Sequence, residues 1–190
     1  MHTTLRRRLS AAAAITALAV SGAAVSGAAA SATATISTST ASTAPFCGIT
    51  WGSLAKATSP ALLWSGRLEG RRAGQHACYD RVVFDIGRGA GSLGYSVRYV
   101  SAVTSPGSGL PVAVSGGARI QVTINAPSTL SASTTSYPGW RTFRQLRSVG
   151  SFEGYTDYGL GVRARLPMRA FVLTDSDGGR RLVVDVAHAW

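Results

Sequence analysis

Acidic residues, histidines and cysteines are all scarce in this chain. Its 190 residues include eight aspartates and glutamates, three histidines and two cysteines. Paired carboxylates for acid–base catalysis, or a nucleophile with its histidine base, need several such groups gathered in one place. The sequence offers no such set, so we expect no enzymatic activity.

Long apolar patterns with a helical period are also missing, apart from a short candidate helix at 51–57. Glycine, proline and serine instead interrupt the chain at short intervals, which is typical of β-sandwiches and barrels. We predict an all-β fold, an antiparallel β-sandwich, in which 128–137 is a loop. The predicted strands are Leu63–Leu68, Tyr79–Ile86, Tyr95–Val103, Ala118–Ile124, Arg141–Val149, Leu160–Leu166, Arg169–Leu173 and Arg181–Val186.

The N-terminal third has the composition of an export signal followed by a linker. Three arginines at 6–8 precede an alanine-rich apolar stretch at 9–20, and Ala28-Ala29-Ala30 offers a cleavage site. We predict a signal peptide at 1–30, a disordered Ser/Thr/Ala linker at 31–45 and one folded domain at 46–190. Whether the apolar stretch is cleaved or kept as an anchor stays open, although its length favours cleavage.

Both cysteines lie in the exported part, where the compartment is oxidising. An even count there favours a disulfide between Cys47 and Cys78. The alternative is a metal site built from His76, Cys78 and Asp80, which would share one face of a strand. Three mixed ligands without a second cluster make that alternative weaker.

Positive charge dominates what remains after the signal is removed. Without the three signal arginines the net charge is near +8, and Lys56 is the only lysine. Such a protein is drawn to anionic surfaces such as wall polymers. For a secreted, cell-wall-associated domain we expect an anionic envelope polymer as partner, with no nucleic acid, cofactor or stable membrane span.

The glycine-rich segment at 89–94 spells two motifs, a dinucleotide fingerprint and a degenerate nucleophile elbow at Ser92. Both motifs need a helix immediately after the turn. The residues that follow Gly94 alternate as a strand, and the only histidines beyond the signal are His76 and His188. We therefore interpret the segment as a β-turn.

One six-residue phrase occurs twice, at 81–86 and at 181–186. In each copy the second, fourth and sixth residues are apolar and share one face of a predicted strand, and the arginine and aspartate lie on the other. We expect the two copies to frame one β unit. Their arginines and aspartates should pair on the sheet surface.

Aromatic and arginine residues are most concentrated at 140–158. Aromatic rings stack on sugars and guanidinium groups bind carboxylates or phosphates, so this segment is the candidate glycan-binding surface. The alternative is that its large aromatics are core residues. The candidates are Trp140, Arg141, Arg144, Tyr155 and Tyr158.

The C-terminal part, from Gly161 to Trp190, resembles the AMIN domain of cell-wall amidases and secretins. The resemblance lies in the basic strand at 162–166, the phenylalanine strand at 171–173 and the closing strand at 181–186. The whole stretch Cys47–Trp190 is more similar still to the AMIN-like domain of secreted actinobacterial proteins. The segments 48–53, 78–81 and 150–154 and the Val-Ala-His-x-Trp ending carry that similarity.

This resemblance implies a non-catalytic β-sandwich that binds peptidoglycan or another cell-wall glycan, or acts as an adaptor for an envelope protein. Members of the AMIN family are usually fused to an amidase or a secretin, and no such partner domain is evident in this sequence. None of the family's binding residues maps onto this sequence. A small secreted hydrolase is the least favoured alternative.

Overall fold

The computed structural model describes residues 46–190, which form twelve strands and no helix. The signal peptide and linker predicted for 1–30 and 31–45 lie outside the described residues. The strands are β1 (Lys56–Ala57), β2 (Leu68–Gln75), β3 (Tyr79–Ile86), β4 (Tyr95–Val100), β5 (Val103–Thr104), β6 (Pro111–Val112), β7 (Ala118–Ile124), β8 (Thr134–Ser136), β9 (Phe143–Phe152), β10 (Tyr155–Val162), β11 (Met168–Thr174) and β12 (Arg180–Ala187).

Two antiparallel sheets make a sandwich. One has six strands in the order β1-β4-β7-β10-β9-β8, and the other has four in the order β11-β12-β3-β2. Their apolar faces meet, for example where the rings of Phe84 and Tyr158 lie 4.9 Å apart between centroids. The predicted antiparallel β-sandwich is confirmed. Residues 46–190 contain no helix with the length and hydrophobicity needed to cross a bilayer.

Strict alternation in the central strands builds the core. The second, fourth and sixth residues of both copies of the repeated phrase are at most 2% exposed: Val82, Phe84, Ile86, Leu182, Val184 and Val186. Burying a side chain of this size stabilises the fold by roughly 1.5–3 kcal/mol. These two strands are therefore the centre of the four-stranded sheet.

The two copies of the phrase are neighbours, paired antiparallel with each other. Val183 lies opposite Val83, Arg181 opposite Asp85, and Asp185 opposite Arg81. The pairing is symmetric about the two valines, so each arginine faces the aspartate of the other copy. The two copies lie near the two ends of the domain in sequence but are hydrogen-bonded neighbours in the sheet.

Several predicted strand ends are wrong, because tertiary contacts determine where those strands begin and end. The strand predicted at 63–68 is wrong except for its last residue, because β2 begins at Leu68. The segment before β2 bonds to the chain beyond β7 instead: Trp64 to Asn125, and Leu68 to Pro127 and Thr129. The strand predicted at 160–166 ends at Val162, where the chain turns. Residues 51–57 form no helix, and the short strand β1 lies at the end of this segment. The predicted loop at 128–137 contains the short strand β8.

A third layer covers the outer face of the six-stranded sheet. The segment that carries β5 and β6 folds back over β7 and β10, where Val103 and Val114 are buried. Gly161 makes this approach possible, because a Cβ there would lie 1.8 Å from the carbonyl oxygen of Ser115. Glycine is a poor strand former, but close packing of the third layer requires it at position 161.

The predicted disulfide is present and joins Cys47 to Cys78, which are 31 residues apart. It ties the start of the described chain to the beginning of β3. Because the sulfur of Cys78 is used in this bond, the alternative metal site at His76, Cys78 and Asp80 loses its thiolate ligand.

Candidate functional site

The five predicted glycan-binding residues do not form one site. Tyr158 points between the sheets, is only 1% exposed and packs on Phe84. It cannot offer a ring face to a sugar, so the prediction fails for this residue. Its position follows from strand parity, because Thr156, Tyr158 and Leu160 all face the core.

Trp140 and Tyr155 lie at opposite ends of the β9–β10 hairpin. Tyr155 pairs with Phe152 beside the turn, whereas Trp140 precedes Phe143, which pairs with Val162 at the other end. A strand of this length spans roughly 30 Å. The hydroxyl of Tyr155 donates to the carbonyl of Pro60 at 3.4 Å. No single small glycan could contact both aromatic residues.

Trp140 belongs to an aromatic cluster with Tyr137 and Phe143. Its ring centroid lies 4.5 Å from that of Tyr137 and 6.1 Å from that of Phe143. Phe143 is buried and Trp140 is half-buried. The register of β9 against β10 shifts between Phe143 and Gln145, so that Phe143 and Leu146 both face the core. This bulge breaks the simple alternation expected from the sequence.

The two arginines of this segment differ in their freedom. Nη1 of Arg144 donates to the carbonyl oxygens of Trp140 and Phe143, at 2.7 and 2.8 Å. Arg144 therefore holds the bend before β9 in place. Arg141 is exposed, and its guanidinium makes no hydrogen bond to any residue that the structure describes.

A groove of about 560 Å³ opens between the edge strands β2 and β8, where the two sheets separate. We call it the β2–β8 groove. Apolar side chains and an aromatic ring form its floor, and arginines and a threonine form its walls. The residues that carry its chemistry are Arg71, Arg72, Ala73, Thr135, Tyr137 and Leu146.

Arginine and tyrosine are close together in this groove. The guanidinium carbon of Arg71 lies 5.9 Å from the ring centroid of Tyr158 beneath it, and Arg71 also donates to the hydroxyl of Ser133. Burial raises the pKa of Tyr137, and the nearby charge of Arg71 partly opposes that effect. Tyr137 therefore keeps its phenolic proton at neutral pH and can act as a donor.

The outer face of the four-stranded sheet carries a stack of arginines and aromatic rings at one end. Arg81 and Arg169 both bind Asp185, with Nε–oxygen distances of 2.6 and 2.7 Å. Their guanidinium carbons lie 5.2–5.4 Å from the ring of Tyr79. Hydrogen bonding and charge from Asp185 raise the pKa of Arg81 despite partial burial. This stack stabilises the sheet. Arg81 and Asp185 pair as expected for the repeated phrase, but Asp185 is buried and not on the sheet surface.

Asp80 lies on the opposite face of β3 and joins three separate parts of the chain. Its Oδ2 accepts hydrogen bonds from the backbone N–H groups of Thr142 and Phe143, both at 2.8 Å. Its Oδ1 lies 3.0 Å from Nε2 of His188. This contact fixes His188, near the end of the chain, to the sheet. Asp80 and His188 therefore have a structural role.

Ser92 does not lie in a nucleophile elbow. It stands before β4, which is a strand and not the helix that a nucleophile elbow requires. The same observation removes the dinucleotide fingerprint at 89–94. Among residues 46–190, no group of three or more metal-ligating side chains is placed to hold an ion.

Asp157 is a buried acid that the sequence pattern does not single out. It is 5% exposed on the covered face of the six-stranded sheet, and its Oδ1 has no hydrogen-bond partner among the described residues. Burial raises the pKa of this carboxyl, while bonds from Thr123 and Gln121 and the charge of Arg98 oppose the rise. The layer that carries β5 and β6 causes the burial, so only the tertiary structure reveals it.

The chain matches a known protein family. A sequence model described as the AMIN-like domain matches residues 66–188, nearly the whole of the described part. No curated protein and no solved structure matches the chain significantly. The match begins just before β2 and ends at His188, so it includes the repeated phrase, both walls of the β2–β8 groove and Asp80.

Proposed function

Since the chain belongs to the AMIN-like domain family, we propose that it is a secreted, non-catalytic domain that binds a cell-wall glycan, with peptidoglycan as the first candidate. The family associates this chain with the cell envelope and with binding rather than catalysis. The β2–β8 groove is the surface best suited to that task.

One observation carries this proposal: the groove places two arginines beside one tyrosine ring on a concave surface. Tyr137 lines it beside Arg71 and Arg72, and the ring of Trp140 packs against Tyr137 in a tilted arrangement. Sugar rings pack on aromatic faces, and peptidoglycan carries carboxylates that guanidinium groups bind. Of the predicted residues, Trp140 adjoins this groove through its contact with Tyr137. Tyr158 lies buried beneath Arg71, and Tyr155 lies at the far end of the hairpin.

Sedimentation of the purified protein with isolated peptidoglycan tests the proposal. We expect Trp140→Ala to weaken binding about tenfold, or about 1.4 kcal/mol, because it removes half of the aromatic pair beside the groove. Arg72→Gln should weaken binding by a smaller factor, because Arg72 is already paired with Asp85. Circular dichroism and thermal unfolding establish that each variant is folded.

Two matched variants serve as controls. Phe152→Ala removes an aromatic ring that is 49% exposed at the far end of the β9–β10 hairpin. Arg98→Gln removes an exposed charge from the six-stranded sheet. Both should bind like the wild type. The proposal is wrong if the wild type sediments no better than a β-protein of equal charge, or if Trp140→Ala and Phe152→Ala behave alike.

An envelope protein is the second candidate partner. Beyond Leu68, β2 is an edge strand whose outer side pairs with no other strand among the described residues. Such an edge can accept a strand from another protein. If this adaptor role is the main one, binding will persist on whole cells and disappear on cell wall that has been stripped of protein.

A further inference from the structure

A second concavity, of about 390 Å³, lies past the end of β2. Here the turn between β2 and β3 meets the segment before β9 and the C-terminal residues. It is lined by Gln75, His76, Ala77, Arg141 and His188. We call it the Arg141 pocket. None of the described residues that line it is acidic.

The nearest acid presents no free oxygen to this pocket. Asp80 is fully buried behind His188, and three donors occupy its two oxygens. The ring of His188 is used as well, since Nδ1 lies 3.2 Å from the carbonyl of Ala77 and Nε2 faces Asp80. The groups left free for a ligand are the guanidinium of Arg141, the imidazole of His76 and the amide of Gln75.

The backbone that carries Arg141 and His188 is held in place by Arg163. Its Nε donates to the carbonyl of Arg141 at 3.1 Å, and its Nη2 donates to that of His188 at 2.7 Å. The ring of His76 stacks on Tyr79 at 4.5 Å between centroids. Binding of a ligand would therefore order side chains but not this backbone, which lowers the entropic cost of binding.

We propose that the Arg141 pocket binds one oxyanion, a phosphate or carboxylate group, carried by an anionic polysaccharide of the envelope. The guanidinium of Arg141 is permanently charged and presents a planar fork that matches two oxygens of such a group. His76 and Gln75 add donors from the opposite wall. The pocket is a different site from the β2–β8 groove, and only the envelope origin of the ligand rests on the proposed function.

An aromatic side chain stands close by in the sequence. Trp190, two residues beyond His188, is 69% exposed. A sugar attached to the bound oxyanion could pack on this ring, as sugars commonly do on exposed aromatic residues. The two-residue spacing keeps Trp190 close in the chain to His188, which lines the pocket.

Titration of the isotope-labelled protein with inorganic phosphate, followed by NMR at constant ionic strength, tests the pocket directly. We expect saturable shifts of the His76, Arg141 and His188 signals. Arg141→Gln should weaken phosphate binding about tenfold, because a charge-assisted bidentate contact is lost. Arg141→Lys should lose less, since it keeps the charge without the fork. Arg98→Gln is the matched control and should bind like the wild type.

Two polymers then identify the anionic group. Poly(glycerol phosphate) offers phosphates and polygalacturonate offers carboxylates, and neutral dextran is the blank. We expect one or both anionic polymers to bind in a manner that depends on Arg141, and the tighter one names the group. The inference is wrong if phosphate shifts no pocket signal, or if Arg98→Gln weakens binding as much as Arg141→Gln does.

Failure of this inference can be told apart from failure of the proposed function. Arg72→Gln alters the groove and should leave phosphate binding unchanged, while Arg141→Gln should leave the aromatic contribution of Trp140 to peptidoglycan binding intact. Pocket shifts without peptidoglycan binding would support the pocket and refute the glycan proposal. Peptidoglycan binding without pocket shifts would do the reverse.

Discussion

The two ends of the β3–β12 strand pair carry the same residues in the same register but have different surroundings. At one end Arg81 faces Asp185, and at the other Arg181 faces Asp85. The side chain of Asp185 is fully buried, whereas that of Asp85 is 33% exposed. Arg81 binds the aspartate opposite it, but Arg181 turns away and pairs with Asp175.

Aromatic cover explains the difference. Trp51 and Tyr79 lie over Arg169 at the Asp185 end, with ring centroids 5.3 and 5.4 Å from the guanidinium carbon. At the other end the hairpin turn after β11 supplies Asp175 as a competing partner for Arg181. Excluding water strengthens an ion pair and makes the loss of one partner costly. The repeated phrase therefore forms a buried ion pair at one end, whereas at the other end its arginine and aspartate each pair with a residue outside the phrase.

The largest predicted effect is that of removing the buried carboxylate. Asp185→Asn leaves Arg81 and Arg169 without a counter-charge and should lower the free energy of unfolding by about 3–5 kcal/mol. Asp85→Asn, the matched change at the exposed end, should cost less than about 1 kcal/mol. Urea unfolding under non-reducing conditions measures both. Similar losses for the two variants would refute the distinction between the ends.

The disulfide should have the next largest effect. Cys78 precedes Tyr79, so the bond anchors the covered end of the strand pair. Replacing both cysteines by serine should lower the free energy of unfolding by about 3–4 kcal/mol, from the closure of a loop of this length. If the covered end depends on this anchor, Asp185→Asn will cost less in the serine background than alone. Strictly additive losses would show that the two are independent.

Asp157 is the third carboxylate in this comparison, buried like Asp185 but without a bonded arginine. Its pKa is raised in the folded state, so the native protein binds more protons than the unfolded chain between the two pKa values. Stability contributed by the protonated form is consequently lost as pH rises through that window. This is the opposite of the usual behaviour of an ion-paired aspartate.

Asp157→Asn should therefore stabilise the protein at neutral pH, by the smallest margin of the three. The advantage should shrink as the pH falls toward the ordinary pKa of aspartate, about 3.9, because the carboxyl of Asp157 is then increasingly protonated in the unfolded chain as well as in the folded protein. Thermal unfolding at a series of pH values measures the difference between variant and wild type. An advantage that grows toward low pH would contradict the assigned burial.

Local patterns predicted the central strands well. The predicted strands at 79–86 and 118–124 coincide with β3 and β7, because β-branched residues alternate there without interruption. The strand ends and the candidate site were less predictable. The site prediction at 140–158 assumed one continuous surface, but the bulge near Arg144 and the turn at 153–154 distribute its residues over the core and both ends of a hairpin.

The sequence by itself determined the all-β class, the disulfide partners and the two framing strands, since each depends on composition, count or strict alternation. Only the tertiary structure decided which aspartate is buried, which arginines stay free and where the sheets part to leave the β2–β8 groove. Those properties depend on segments distant in the chain, such as Asp80 with Thr142 and His188. Their physical cause is exclusion of water, which no local pattern encodes.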